Sequence, residues 1–112
     1  MTFRMAASVA FGSLVLAALP VAALADDSGF ASIHDLRRER GRICMSDHWH
    51  DGSGSGRTQK AAQSDAVGSW SSFTALEYGS DWARWGKALG KSLSCSRTSS
   101  GFDCSVSARP CK

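Results

Sequence analysis

The densest polar cluster in the chain is Asp47-His48-Trp49-His50-Asp51. In an extended segment, residues i and i+2 face the same way, so His48 and His50 can hold one metal ion between them. Imidazole nitrogens suit Zn, Cu or Ni. Asp47 or Asp51 can add an oxygen ligand, or orient an imidazole through its second nitrogen. Met45 can offer a soft sulfur to Cu(I). The pair supplies only two ligands, and His34 is the sole other histidine. No motif demands a cofactor; Zn or Cu is the ion this pair would take.

Other chemistries find less support. Acid–base catalysis needs two positioned titratable groups. His34, His48 or His50 can be set against Lys60 or Glu77, but no spacing selects a pair. Gly52-Ser53-Gly54-Ser55-Gly56 is low complexity rather than a nucleophile elbow. It is followed by Arg57-Thr58, not by the Lys-Ser/Thr of a phosphate-binding loop. A small hydrolase with a histidine acid/base is therefore a third reading, behind a non-enzymatic binding or structural module and behind a metal binder. For the binding module, Trp49 stands beside the Gly/Ser run, and Arg37, Arg38, Arg40 and Arg42 form a basic stretch nearby. Such a surface fits an envelope polymer or an anionic lipid or glycan, since Trp is over-represented at binding hot spots. Trp70, Trp82 and Trp85 fall at helical spacing and read as core.

Four cysteines, Cys44, Cys95, Cys104 and Cys111, follow one another at gaps of 51, 9 and 7 residues. No C-x-x-C pair is present, which speaks against a zinc module and against a redox enzyme. Two disulfides are the expectation. Two segments near the end alternate, Ser92 to Ser96 and Phe102 to Ala108, with a turn over Thr98 to Gly101. With Ser99-Ser100 at its centre, Cys95 faces Cys104 and Leu93 faces Val106, so both apolar faces agree. This register favours Cys95–Cys104, leaving Cys44–Cys111 to tie an N-terminal arm to the tail. The alternative is Cys44–Cys104 with Cys95–Cys111.

The elements that must carry these residues can be outlined. Ala31 to Arg40 reads as a short helix and Ile43 to Trp49 as extended. Asp51 to Gly56 reads as a flexible loop, because Gly/Ser runs hold regular structure poorly. Thr58 can cap a helix from Gln59 to Tyr78, with Ala62, Ala66, Trp70 and Phe73 on its buried stripe, Leu76 or Glu77 continuing the row, and Gly79 ending it. Gly68 lies inside that helix, where it costs about 1 kcal/mol relative to Ala; close packing against another element would explain it. A second, shorter helix is expected from Ser80 or Asp81, with Trp82, Trp85 and Leu89 inward and Gly90 at its end. The fold class is α+β: a long and a short helix, then an antiparallel β-hairpin.

The chain holds 112 residues, with 13 Lys+Arg and 10 Asp+Glu. That is one domain's worth of sequence. Arg4, the apolar run Val9 to Leu19, Pro20 and Ala23-Leu24-Ala25 together read as an export signal over residues 1–25. The remainder divides into an arm and Gly/Ser loop over 26–56 and a body over 57–112. Without the leader's one base the net charge is +2, too mild for a nucleic-acid binder. No stretch of the mature chain is apolar enough to span a bilayer. A periplasmic or secreted protein is expected, in a compartment where disulfides persist.

The pattern Trp70-x-x-Phe73, Tyr78-Gly79, Trp82-x-x-Trp85, Ala88, Cys95, Cys104 and Ala108-Arg109-Pro110-Cys111 covers about half of the mature chain. It resembles a group of small exported bacterial proteins with a Trp-bearing helix and an ending of the form Cys…Cys…Ala-x-Pro-Cys. The resemblance implies export and a shared fold, and it carries over no catalytic residue.

Overall fold

A computed structural model of the chain describes residues 29–112, and the expected leader lies outside them. In chain order the elements are a 3-10 turn (Phe30–Ile33), β1 (Leu36–Glu39), β2 (Arg42–Met45), β3 (His50–Gly56) and α1 (Gln59–Tyr78). Two 3-10 turns (Ser80–Trp82 and Trp85–Lys87), β4 (Leu89–Thr98) and β5 (Gly101–Arg109) follow. The class is α+β. β1 and β2 form a two-stranded antiparallel sheet, and β3, β5 and β4 form a three-stranded one in that order.

The β4–β5 hairpin takes the expected register, with Cys95 opposite Cys104, Leu93 opposite Val106 and Thr98 opposite Gly101. Both expected disulfides are present, Cys95–Cys104 and Cys44–Cys111. The second fixes the C-terminal residues along β2. Ile43 and Lys112 exchange two backbone hydrogen bonds of 3.0 and 2.9 Å, and Met45 N donates to Pro110 O at 3.1 Å.

The Gly/Ser run is not a loop. It is β3, paired along its whole length with β5, with Gly52 opposite Val106, Gly54 opposite Cys104 and Gly56 opposite Phe102. Its period of two decides this. The glycines face α1 and the serines face away. A Cβ on Gly52 would meet Ala66 O and lie 2.6 Å from Trp70 N; on Gly56 it would lie 2.8 Å from Ala62 N. Bare glycines on the strand and alanines on the helix let the two backbones approach closely. The helix also satisfies the free edge of β3: Ser55 N donates to Asp65 Oδ2 at 3.0 Å and Ser53 N to Ser69 Oγ at 3.4 Å. The sheet face turned from the helix carries Ser53, Ser55, Ser92, Ser94, Ser96, Ser105 and Ser107 with Asp51 and Asp103, by the strand registers.

Helix α1 begins as expected, Thr58 Oγ1 accepting from Ala61 N at 3.1 Å, and Gly79 follows it with a φ of 104°. Its buried stripe differs in the second half. Ala62, Ala66, Trp70, Thr74 and Tyr78 are buried, at strict i+4 spacing. Phe73 and Leu76 are exposed instead. β3 starts only at His50, and past that point the last turn of the helix packs on a second cluster of Ala31, Met45, Tyr78 and Trp82. Gly68 faces open space, so no close packing explains it.

Two other elements differ from expectation. Ala31 to Arg40 is not a helix: after the first 3-10 turn the chain turns tightly at Arg40 and Gly41, at φ 50° and 76°, and forms the β1–β2 hairpin. Consecutive left-handed residues are what a two-residue hairpin turn requires. The second helix is only two 3-10 turns, which still bury Trp82 and half-bury Trp85 against Trp70. Arg109, 6% exposed, ties the hairpin to β5. It donates to both carboxylate oxygens of Glu39, at 2.7 and 2.9 Å, and to Met45 O at 2.9 Å.

Candidate metal centre

His50 opens β3 on the face turned towards α1 and is 2% exposed. Its surroundings fix its ring. Nδ1 lies 3.0 Å from Thr74 Oγ1, and the Thr74 hydroxyl donates to Trp70 O at 2.7 Å. With its only proton committed, Thr74 can only accept, so His50 carries its proton on Nδ1. Nε2 then presents a lone pair. Burial pushes the His50 pKa down, with Glu77 opposing this more weakly, so the neutral imidazole is the stable form.

Glu77, on the last turn of α1, places Oε2 3.1 Å from His50 Nε2, but no hydrogen bond of acceptable geometry joins Nε2 to any partner. Two acceptors thus face each other at short range. His48, half-buried two residues before His50, completes the group: its ring centre is 4.9 Å from that of His50. One ligand atom from each of His48, His50 and Glu77 lies within 4.8 Å of the other two. Ligands at the usual 2.0–2.2 Å from a tetrahedral ion stand roughly 3.4 Å apart. The His50–Glu77 edge is already that short, so closing the site asks mainly for His48 to come closer.

Further rings surround the group. Tyr78 stacks on His50 with centres 4.9 Å apart, and its hydroxyl lies 3.2 Å from His34 Nε2. Burial, then the charge of Glu77 and a hydrogen bond to it, push the Tyr78 phenol up. His34 lies 4.6 Å from His48, ring centre to ring centre. The Phe73 ring, 4.8 Å from that of His50, borders the opposite side.

The structure therefore brings His48 and His50 together, as the two-residue spacing suggests, His50 at the start of strand β3 and His48 in the irregular segment that leads into it. The oxygen in the group comes from Glu77. Asp51 follows His50 and so lies on the far face of the strand. Asp47 is exposed and acts on Arg109 as a nearby charge. Trp49 is 48% exposed, with the Arg109 guanidinium over its ring at 5.8 Å. Arg37, Arg38 and Arg40 stand exposed on the β1–β2 hairpin, Arg37 paired with Glu39 at 3.2 Å. Glu77 and Thr74 escape a reading by local spacing because they sit 27 and 24 residues from His50. Their one signal is that Thr74 and Tyr78 continue the i+4 row from Ala62.

Comparison with protein-family models, with curated proteins and with solved structures gives no match.

Proposed function

We propose that this chain is a small exported domain, stapled by two disulfides, that binds one first-row transition-metal ion through His48, His50 and Glu77. The observation that carries the reading is His50 Nε2, buried without a hydrogen-bond partner and set 3.1 Å from a Glu77 carboxylate oxygen. A cation between the two relieves that opposition. Two imidazoles and a carboxylate suit Zn or Cu. Thr74 plays the part that outer hydrogen-bond partners play at metal sites, fixing the tautomer of a ligand histidine. The leader and the disulfides support export, and no helix among the described residues is long and apolar enough to cross a membrane.

The test is calorimetric titration of Zn(II) and Cu(II) into chelator-treated protein. One equivalent is expected to bind. His48→Ala is expected to weaken binding at least tenfold while the circular dichroism spectrum stays unchanged, because His48 is not part of the core. No uptake, or uptake indifferent to His48→Ala and Glu77→Gln, overturns the reading.

A second reading is favoured by the hairpin. Arg37, Arg38 and Arg40 are exposed, and the acid among them, Glu39, is already held by Arg109. This leaves a basic tip suited to an anionic polymer or lipid surface. Sedimentation with peptidoglycan and flotation with anionic vesicles test it. Retention lost on replacing the three arginines by alanine supports it, and no retention of the unaltered protein removes it.

A further inference from the structure

The two edges of the three-stranded sheet are finished differently. At β3, side chains of α1 accept from the outward N–H groups of Ser53 and Ser55. β4 forms the other edge, and among the described residues no backbone hydrogen bond from outside the sheet reaches it. Pairing alternates along an antiparallel ladder. Thr98 and Gly101 close the two-residue turn as a hydrogen-bonded pair, so Ser92, Ser94 and Ser96 bond to β5. Leu93, Cys95 and Arg97 then point their N–H and C=O groups outward. The 4.1 Å between the Cα atoms of Cys95 and Cys104 agrees, being the short spacing of a pair that exchanges no ladder bonds. Helix α1 packs over β3 and β5 but barely over β4, so Leu93, on the helix side, is 47% exposed. Such an edge is a template for another strand.

The charges along β4 select the occupant. Lys91 and Arg97 are exposed on the same side as Leu93, lying over the rings of Trp85 and Phe102 at 5.3 Å each. A strand of that length sets them about 20 Å apart, and β4 contains no acid. A second copy fits poorly. In a two-fold β4–β4 pairing centred on Leu93, Ser94 or Cys95, Lys91 falls opposite or diagonal to Arg97 of the other copy, and facing like charges oppose pairing. We propose that β4 takes an extended segment of another protein as an added antiparallel strand. Its acidic residues stand opposite Lys91 and Arg97, and a small apolar one stands opposite Leu93. Backbone hydrogen bonds supply the attachment and alternate side chains the selectivity. The surface is independent of the metal site.

The probe is the fluorescein-labelled peptide Glu-Thr-Val-Thr-Val-Thr-Glu, titrated with the protein and read by anisotropy. It is expected to bind at least tenfold more tightly than the same peptide with Lys at both ends, and Lys91→Glu with Arg97→Glu is expected to reverse that order. N-methylation of both valines, whose N–H groups would face β4, is expected to abolish binding. N-methylation of the central Thr, whose N–H would face away, is expected to leave it unchanged. Leu93→Pro removes an outward donor from an edge strand, where proline is tolerated, and is expected to weaken binding at least tenfold. If that variant fails to fold, the methylated peptides carry the same test. No binding of the acidic peptide overturns the proposal, as does binding indifferent to its end charges or to the valine methylations. So does a dimer in sedimentation equilibrium that Leu93→Pro dissolves, since a second copy would then fill the edge.

Discussion

Replacing Gly52 by alanine tests how the fold builds the site. The new Cβ would lie 2.6 Å from Trp70 N and 2.8 Å from Trp70 Cβ, where ordinary contact begins at 3.4 Å. The obstacle includes helix backbone, which cannot rotate away, so β3 must retreat from α1 by at least about 0.8 Å at this point. Overpacking of this kind costs roughly 1–3 kcal/mol. For a domain of this size each kcal/mol moves the melting temperature by about 4–8 °C. A fall of roughly 5–20 °C is therefore expected by differential scanning calorimetry. Gly68→Ala is the matched control: it is the same chemical change, on the helix, with open space at the Cβ position. It is expected to raise stability by about 1 kcal/mol through helix propensity alone. The retreat also reaches the site two residues away. The His50–Thr74 contact of 3.0 Å would open towards roughly 3.8 Å, outside hydrogen-bond range, so metal affinity should fall with stability. If Gly52→Ala melts at or above the unaltered protein, the close strand–helix packing described here is refuted.

Three further predictions follow from other contacts. Thr74→Val should remove the acceptor that holds the His50 proton on Nδ1, giving a mixed tautomer in imidazole ¹⁵N spectra of the metal-free protein and at least tenfold weaker Zn(II) binding; Thr74→Ser should restore both. Hydrogen bonding from Arg109, opposed in part by burial and helped by Arg37, lowers the Glu39 pKa from 4.5 to about 2. A depressed carboxylate contributes stability above its unfolded pKa, so this contribution should be present at pH 6, decline below about 4.5 and be gone near pH 2; urea melts of Glu39→Gln should lack that part of the acid dependence. Removing the Cys44–Cys111 bridge, which spans 67 residues, should cost about 4 kcal/mol by the chain-entropy relation, against about 2.5 kcal/mol for Cys95–Cys104, which spans 9; paired Cys→Ala variants in chemical denaturation check the order.

The parts legible in the sequence are those where two local signals coincide. The β4–β5 hairpin is readable because alternation in both strands and two cysteines agree on one register. Helix α1 is readable because Thr58 and Gly79 bracket an apolar period. β3 is misread because Gly and Ser are weak strand formers, so composition outweighs the period of two that its glycines display. β1 is misread because Leu36-Arg37-Arg38-Glu39 does not alternate, and its pairing rests on the turn at Arg40-Gly41. In the site, the His-x-His spacing is visible locally. The contributions of Glu77 and Thr74 depend on where the end of α1 meets the start of β3, which no short window contains. Asp51 illustrates the converse: next to His50 in sequence, it is turned away by the alternation of β3, while Asp47 stands exposed before the strand begins.

The bridge between Cys44 and Cys111 also constrains how the domain matures. The first cysteine to emerge from any ribosome or translocation pore must remain unpaired until the last has followed it, while Cys95 and Cys104 pass by as available partners. Oxidation in order of appearance would join Cys44 to Cys95, leaving Cys104 to Cys111 and both native pairs unmade. Correct maturation therefore calls for oxidation after the whole chain is out, or for thiol–disulfide exchange to undo the early pair. The yield of native protein should then depend on the disulfide-exchange capacity of its compartment more than on oxidising strength.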